Sequence, residues 1–139
     1  MKLRVLLDTG PLVAFLDKDE EHHEWAVKQF ARIASPLITC EAVLTESFYL
    51  LRRHPPAMEK LGQWVRGGMI EVRFQLSSAC ERVIALMQQY SDVPMAFADA
   101  CLFCMAEQAT ERSVFTLDSH FVVYRLANGL PVNTLRPQT

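Results

Sequence analysis

Residues 2–17, KLRVLLDTGPLVAFLD, decide the fold. Residues 2–7 are a short run rich in leucine and β-branched side chains, which predicts a β-strand. Asp8 closes this strand, and Gly10-Pro11 opens a short helix, because proline is accepted in the first helical turn. A strand that leads directly into a helix is typical of proteins in which helices cover a parallel sheet.

The rest of the chain repeats this alternation of short strands and helices. Ser78 with Glu81 is a capping-box pattern that predicts a helix start, and Asp92 precedes a further helix that we expect it to cap. We predict an α/β protein, a three-layer α/β/α sandwich with a mostly parallel sheet of four or five strands, in a single domain over residues 1–139. Further strands are expected at residues 37–39, 69–74, 113–116 and 132–135, and helices at 19–34, 41–53, 57–66, 79–90 and 95–109, with a helical turn or two at 119–126.

Composition agrees with a helix-rich globular protein. The 139 residues are 50% hydrophobic and 22% charged, which excludes disorder, and they include only 5 glycines, fewer than a barrel of many turns needs. The net charge of −2 gives no overall signature of nucleic-acid binding. It does not exclude such a partner, because an acidic metal site subtracts several charges that bound cations restore.

The sequence also indicates a reduced, cytoplasmic location without membrane contact. Cys101 and Cys104 form a CxxC pair, but they lie inside the apolar run AFADACLFCMAE, which favours a core role over redox or zinc chemistry. Cys40 and Cys80 are isolated. The first residues resemble a signal peptide only faintly, since Asp8 and Pro11 interrupt them, and no apolar run reaches the 18 residues that span a bilayer.

Four acidic residues are expected at one edge of this sheet. Asp8 ends the first strand, and Asp118 lies just past the fourth. Glu46 lies about two turns into the helix after the second strand, and Asp99 lies near the start of the apolar helix. Sites in open parallel sheets form outside the carboxyl ends of the strands, so the four meet if the sheet is parallel. Alternative roles are a helix cap for Asp8, a solvated position for Glu46 and a turn for Asp118.

Asp99 is the hardest of the four to explain as a structural residue. It is the only charged residue between Met95 and Ala106, in a helix so apolar that it should be buried. A buried carboxylate without a partner is costly, and converging carboxylates repel one another. Hard cations such as Mg²⁺ or Mn²⁺ prefer oxygen ligands of this kind and support phosphodiester hydrolysis. The sequence therefore predicts a metal site with hydrolytic chemistry.

Four motifs, in order, resemble those of PIN domains. They are VLLDTGPLVAFLD with Asp8, LTESFYLL with Glu46, DVPMAFADACLFCMAEQ with Asp99, and VFTLDSHFVVYR with Asp118. Each motif alone is weak, but together the similarity runs from Leu3 to about Arg136. Members of the family at this size resemble the toxins of VapBC-type toxin–antitoxin pairs.

The resemblance implies a Mg²⁺- or Mn²⁺-dependent endoribonuclease that forms a homodimer and is inhibited by a small antitoxin protein. The four acids would be its catalytic and metal-binding residues, with Thr9, Thr116 and Ser119 as polar supports. Asp92 is a less favoured member of the acidic site. Contacts to RNA are expected from basic residues, and the candidates are Arg52, Arg53, Lys60 and Arg66.

Other functions stay open on the sequence. The chain could be an inactive PIN fold that serves as a protein-interaction module, although such a module would be expected to have lost metal ligands. It could also be a PIN nuclease of RNA processing without an antitoxin. LLDTG also resembles the triplet of aspartic proteases, but that fold is β-rich and needs two such aspartates. A haloacid-dehalogenase-type phosphatase needs a second acid where Gly10 stands. The histidines have no zinc spacing.

Overall fold

Among residues 2–138, five parallel strands form the centre of the protein. The computed structural model describes residues 2–138. The prediction of a mostly parallel sheet is confirmed, since every strand pair is parallel. The second strand has its predicted bounds and the other four are shorter than predicted; the strands are β1 (Val5–Leu7), β2 (Leu37–Thr39), β3 (Ile70–Val72), β4 (Ser113–Phe115) and β5 (Thr134–Leu135). Their order in the sheet is β3-β2-β1-β4-β5.

In the part of the chain that the structure describes, six helices connect and cover these strands, and one turn of 3₁₀ helix follows β4 at Ser119–Val122. They build two hydrophobic layers, one on each face of the sheet, so the three-layer architecture is also confirmed. Their bounds are α1 (Thr9–Leu16), α2 (His23–Phe30), α3 (Glu41–Leu50), α4 (Pro55–Arg66), α5 (Leu76–Gln89) and α6 (Phe97–Gln108).

The alternation of side chains along β1 divides the core. Val5 and Leu7 face the layer that contains α1 and α4, whereas Leu6 faces the layer that contains α5 and α6. All three side chains are almost completely buried. A strand buried on both faces reads as a continuous apolar run, which is why the VLL segment contains no polar residue.

Helix α6 is the most buried helix of the described chain, as its apolar sequence predicts. Every residue from Asp99 to Ala106 is buried. Cys101 and Cys104 are free thiols inside this helix and pack in the core, which agrees with the core role inferred from their context. Among residues 2–138 there is no helix with the length and apolar character needed to cross a membrane.

The order of the strands places a switch point beside β1. The chain passes from β1 to β2 and β3 on one side, then returns through α5 and α6 to β4 on the other side. In open α/β sheets such a reversal leaves a crevice at the carboxyl ends of the two central strands. Here those strands are β1 and β4, which lead to Asp8 and Asp118.

Two predicted helix caps are wrong. Helix α5 begins at Leu76, two residues before the capping-box serine, because the backbone N–H of Ser78 already bonds to the carbonyl of Gln75 in the first turn. Helix α6 is preceded by Ala96, and Asp92 lies exposed in an earlier turn, so it caps nothing there.

Other helix bounds also differ from the prediction: α2 and α3 end early, at Phe30 and Leu50 instead of residues 34 and 53, and α6 is shorter at both ends than the predicted 95–109. Helix α2 begins at His23 instead of residue 19, because the carboxylate of Asp17 accepts the N–H of Asp19 and holds a turn. Helix α4 begins at Pro55, two residues earlier than predicted, since proline fits the first helical turn.

Candidate active site

Asp8 uses both carboxylate oxygens as it leaves β1. Its Oδ1 accepts the backbone N–H of Thr9 at 2.8 Å, so Asp8 does cap α1, and its Oδ2 accepts the hydroxyl of Thr116 at 2.6 Å. Its own N–H donates to the carbonyl of Phe115, which extends the pairing of β1 with β4 by one step. The side chain is only 7% exposed. These bonds fix the direction in which the carboxylate points.

Thr116 connects the two strand-end aspartates. Its hydroxyl donates to Asp8 and also accepts the backbone N–H of Asp118 at 2.9 Å. Asp118 in turn caps the 3₁₀ helix by accepting the N–H of His120 at 2.8 Å, and the His120 Nδ1 lies 3.3 Å from the same oxygen. The loop after β4 is therefore folded onto the end of β1.

Asp99 reaches the same region from the first turn of α6. It is 7% exposed, and its Oδ2 accepts the hydroxyl of Tyr124 at 3.1 Å. Tyr124 is fully buried and its ring packs against Tyr90, Phe103 and Phe121. A rigid aromatic group thus holds the only hydroxyl that donates to Asp99 within residues 2–138.

The electrostatics of Asp8 and Asp99 show that they share one environment. Burial raises the pKa of Asp8 to about 6, while the hydrogen bonds from Thr116 and Thr9 act in the opposite direction. Burial raises the pKa of Asp99 to about 7, and the charges of Asp8 and Asp118 raise it further. Each carboxylate therefore makes ionisation of the others harder, which is the situation that a bound cation relieves.

Glu46 lies at the margin of this group. It is exposed on the second turn of α3, and none of the side-chain hydrogen bonds found in residues 2–138 involves it. Its charge still contributes to the raised pKa of Asp8, so it lies near that carboxylate. Three acids thus lie close together, and the fourth is near them on a neighbouring helix.

The three predicted supporting residues have different surroundings. Thr116 makes the two hydrogen bonds described above. Thr9 is buried in the first turn of α1 with its Oγ1 unpartnered, so this oxygen is a further free donor and acceptor beside Asp8. Ser119 is exposed at the start of the 3₁₀ helix. Their predicted support of a metal site stays a prediction.

Two residues of the site did not stand out in the sequence. They are Tyr124, which bonds to Asp99, and Thr39. The buried hydroxyl of Thr39 donates to the carbonyl of Leu7, the residue directly before Asp8, at 2.7 Å. Thr39 ends β2, so its position at a strand's carboxyl end was the signal that could have found it. Tyr124 had no such signal, because its partner lies 25 residues away.

Gly10 is explained by a close approach to the loop that carries Asp118. A Cβ at this position would lie 3.0 Å from Cγ of Leu117, between Thr116 and Asp118. Glycine therefore lets the start of α1 pack tightly against that loop.

The donor chemistry suits a hard divalent cation. The group supplies carboxylate oxygens and a free hydroxyl, and burial of the carboxylates favours compensation by positive charge. Within residues 2–138, however, no three Asp, Glu, His or Cys side chains already stand in a ligand arrangement. Binding would thus draw the carboxylates closer together.

Comparison with known proteins agrees with this geometry. The PIN domain model matches residues 5–126, nearly the whole of the described chain. The chain belongs to the PIN domain family. Among the proteins most similar to it is Ribonuclease VapC26 of Mycobacterium tuberculosis (strain ATCC 25618 / H37Rv), 25% identical over 128 residues, which cover 90% of this chain and 95% of that protein.

A solved structure supports the fold of this PIN domain. The crystal structure of Mycobacterium tuberculosis VapC20, described as a Sarcin-Ricin loop cleaving toxin, superposes with a TM-score of 0.77 over 91% of this chain and 99% of that chain. The sequences are 18% identical. At this identity the match is evidence for the fold alone.

Proposed function

We propose that this PIN domain is a Mg²⁺- or Mn²⁺-dependent endoribonuclease, the toxin of a VapBC-type pair. The observation that carries the proposal is the convergence of Asp8, Asp99 and Asp118 at the switch point, with two of the carboxyl groups buried. The similarity to a curated VapC ribonuclease supports the choice of RNA as substrate.

The roles of the residues follow from their contacts. Asp8, Asp99 and Asp118 would hold the cation, with Glu46 completing the acidic group from α3. The cation would supply an activated water and charge stabilisation at the phosphodiester. Thr116 orients Asp8 and fixes the Asp118 loop, and Tyr124 orients Asp99.

Basic residues near the acids would contact the phosphate backbone of RNA. Arg52, Arg53, Lys60 and Arg66 are all exposed. Arg66 ends α4 shortly before β3 begins, near the amino end of the strands and away from the acids, so it is the least suitable. Arg52 stacks over the ring of Tyr49 at 4.0 Å.

Homodimerisation and inhibition by an antitoxin belong to the same proposal. They are supported by the similarity to the VapC relatives. A PIN nuclease of RNA processing would share the active site but have no antitoxin, so a short antitoxin-like reading frame beside the gene would favour the toxin.

The test compares wild type with Asp99→Asn on single-stranded and structured RNA, each with Mg²⁺, Mn²⁺ or EDTA. Asparagine keeps the shape of the side chain but removes a ligand charge, so we expect cleavage to fall by orders of magnitude. A contaminating nuclease would cleave equally in both preparations. Cleavage that neither the substitution nor EDTA changes would overturn the metal-nuclease assignment, and no cleavage by wild type with either metal would favour the interaction module.

A further inference from the structure

A cavity of about 950 Å³ lies on the α5–α6 side of the sheet, toward its β3 edge. Its volume is within the range of small-molecule sites. The acidic residues that line it are Glu41, Glu107 and Glu111, so it is separate from the carboxylates of the candidate active site. Its apolar wall includes Leu6, Ile38, Val72, Phe74 and Met105.

Arg112 lines this cavity and forms no ion pair within the described residues. It is 7% exposed, and its Nη1 donates to the carbonyl of Val5 at 3.0 Å. Its other guanidinium nitrogens make no hydrogen bond within residues 2–138, and no carboxylate of that range forms an ion pair with it. A buried arginine normally has an acidic partner, because an unpaired buried charge is costly.

The charges around Arg112 are on balance positive. Burial lowers its pKa, and the neighbouring charges of Arg4 and Arg73 lower it more than those of Glu111 and Glu71 raise it. Arg73 is paired with Glu71, whereas Arg4 has no ion pair within the described residues. The cavity lining contains four arginines, of which Arg82 is paired with Glu107, and three glutamates, so arginines exceed glutamates by one, whereas the whole chain has a net charge of −2.

The start of α5 opens into the same cavity. Gln75, Ser78 and Ala79 line it, and the helix begins with neither a side-chain cap nor an acidic residue in its first turn. The first backbone N–H groups of a helix carry partial positive charge and favour anions. This helix start therefore adds to the positive character that the arginines create.

We propose that this cavity binds a phosphate-bearing ligand, with Arg112 and Arg4 holding the phosphate and the apolar wall contacting the remainder. A phosphate is favoured over a carboxylate because it has more acceptor oxygens for the guanidinium groups and for the helix start. The ligand is either a free nucleotide or a phosphate of a bound RNA chain. Since binding requires neither metal nor cleavage, it is independent of the proposed nuclease activity.

Binding is measured in EDTA, by titration calorimetry, with adenosine 5′-monophosphate and with an oligoribonucleotide. We expect Arg4→Glu to weaken binding by roughly tenfold or more. Arg4 is exposed, so this variant should fold even if an Arg112→Ala variant does not. The matched control is Arg32→Glu, an exposed arginine that does not line the cavity and whose guanidinium bonds, among the described residues, to Gln29.

The two arms identify the source of the phosphate. Weakened binding of the mononucleotide indicates a free nucleotide, and weakened binding of the oligonucleotide alone indicates RNA. Glutarate, which has carboxylates and no phosphate, is titrated as a control. The proposal would be overturned if neither phosphate probe binds, if Arg4→Glu and Arg32→Glu lose equal affinity, or if glutarate binds as tightly as the mononucleotide.

Discussion

The two parts of the Tyr124 side chain have different roles. Its ring packs in the core, and its hydroxyl orients the carboxylate of Asp99. Its ring fills the space between Tyr90, Phe103 and Phe121, and its hydroxyl alone reaches Asp99. Removal of the hydroxyl therefore tests the second role while leaving the first intact. The hydrogen bond also lowers the pKa of Asp99, so it favours the ionised form that a cation needs.

We expect Tyr124→Phe to weaken Mn²⁺ binding and RNA cleavage while the free energy of unfolding falls by only about 1 kcal/mol. Calorimetry with Mn²⁺ and unfolding in urea measure the two effects. Tyr90→Phe is the matched control, because its hydroxyl accepts the N–H of Arg125 at 2.8 Å in the same aromatic group. Equal Mn²⁺ affinities in the two variants would leave Tyr124 with a packing role only.

The raised pKa of Asp99 predicts how the stability of the metal-free protein changes with pH. In the unfolded chain this carboxyl ionises near its ordinary pKa of 3.8, but in the folded chain near 7. The folded protein therefore holds the proton more tightly. The stability that depends on a protonated Asp99 is fully present below pH 4 and is lost as the pH rises through 7.

Asp99→Asn removes this dependence, because asparagine does not titrate. In EDTA we expect the variant to gain stability relative to wild type as the pH rises from 4 to 8, by up to about 4 kcal/mol. Urea unfolding of both proteins at several pH values gives the difference directly, since the other carboxyl groups titrate in both. A stability difference that stays constant across this range would contradict the placement of Asp99 among the other acids.

At the scale of elements, apolar patterns predict the existence and order of helices better than their ends. The run from Met95 to Ala106 identified a buried helix because no polar face interrupts it, and this is confirmed. The predicted beginning of α5 was wrong because the backbone N–H of Ser78 bonds to the carbonyl of Gln75, so the serine already lies inside the first helical turn. Caps depend on a single local bond, and several residues nearby can offer one.

The candidate site could be predicted in part for the same reason. Asp8 and Asp118 follow strands, so a parallel sheet brings them to one edge, and this arrangement is present. That β1 lies between β2 and β4 was not predictable, because strand pairing depends on contacts between distant segments. The bond from Tyr124 to Asp99 is of the same non-local kind.

At the scale of the whole molecule, apolar exposure on α3 indicates where a second copy would bind. Tyr49 is 60% exposed and the adjacent Leu50 is 47% exposed. On α4, by contrast, the large apolar residues are buried or half-buried. Apolar residues that cluster on the surface are typical of interfaces, and a twofold dimer would bury the same patch of both copies.

We therefore expect the protein to sediment as a dimer and Leu50→Glu to shift it toward monomer, because each interface would receive two buried charges related by the twofold axis. Sedimentation velocity over a range of concentrations measures the shift. Leu130→Glu is the control, since Leu130 is equally apolar and 60% exposed but lies in the loop before β5, far along the chain from α3. If wild type is a monomer at high concentration, the dimer is wrong; if Leu130→Glu dissociates it and Leu50→Glu does not, the dimer forms through a different surface.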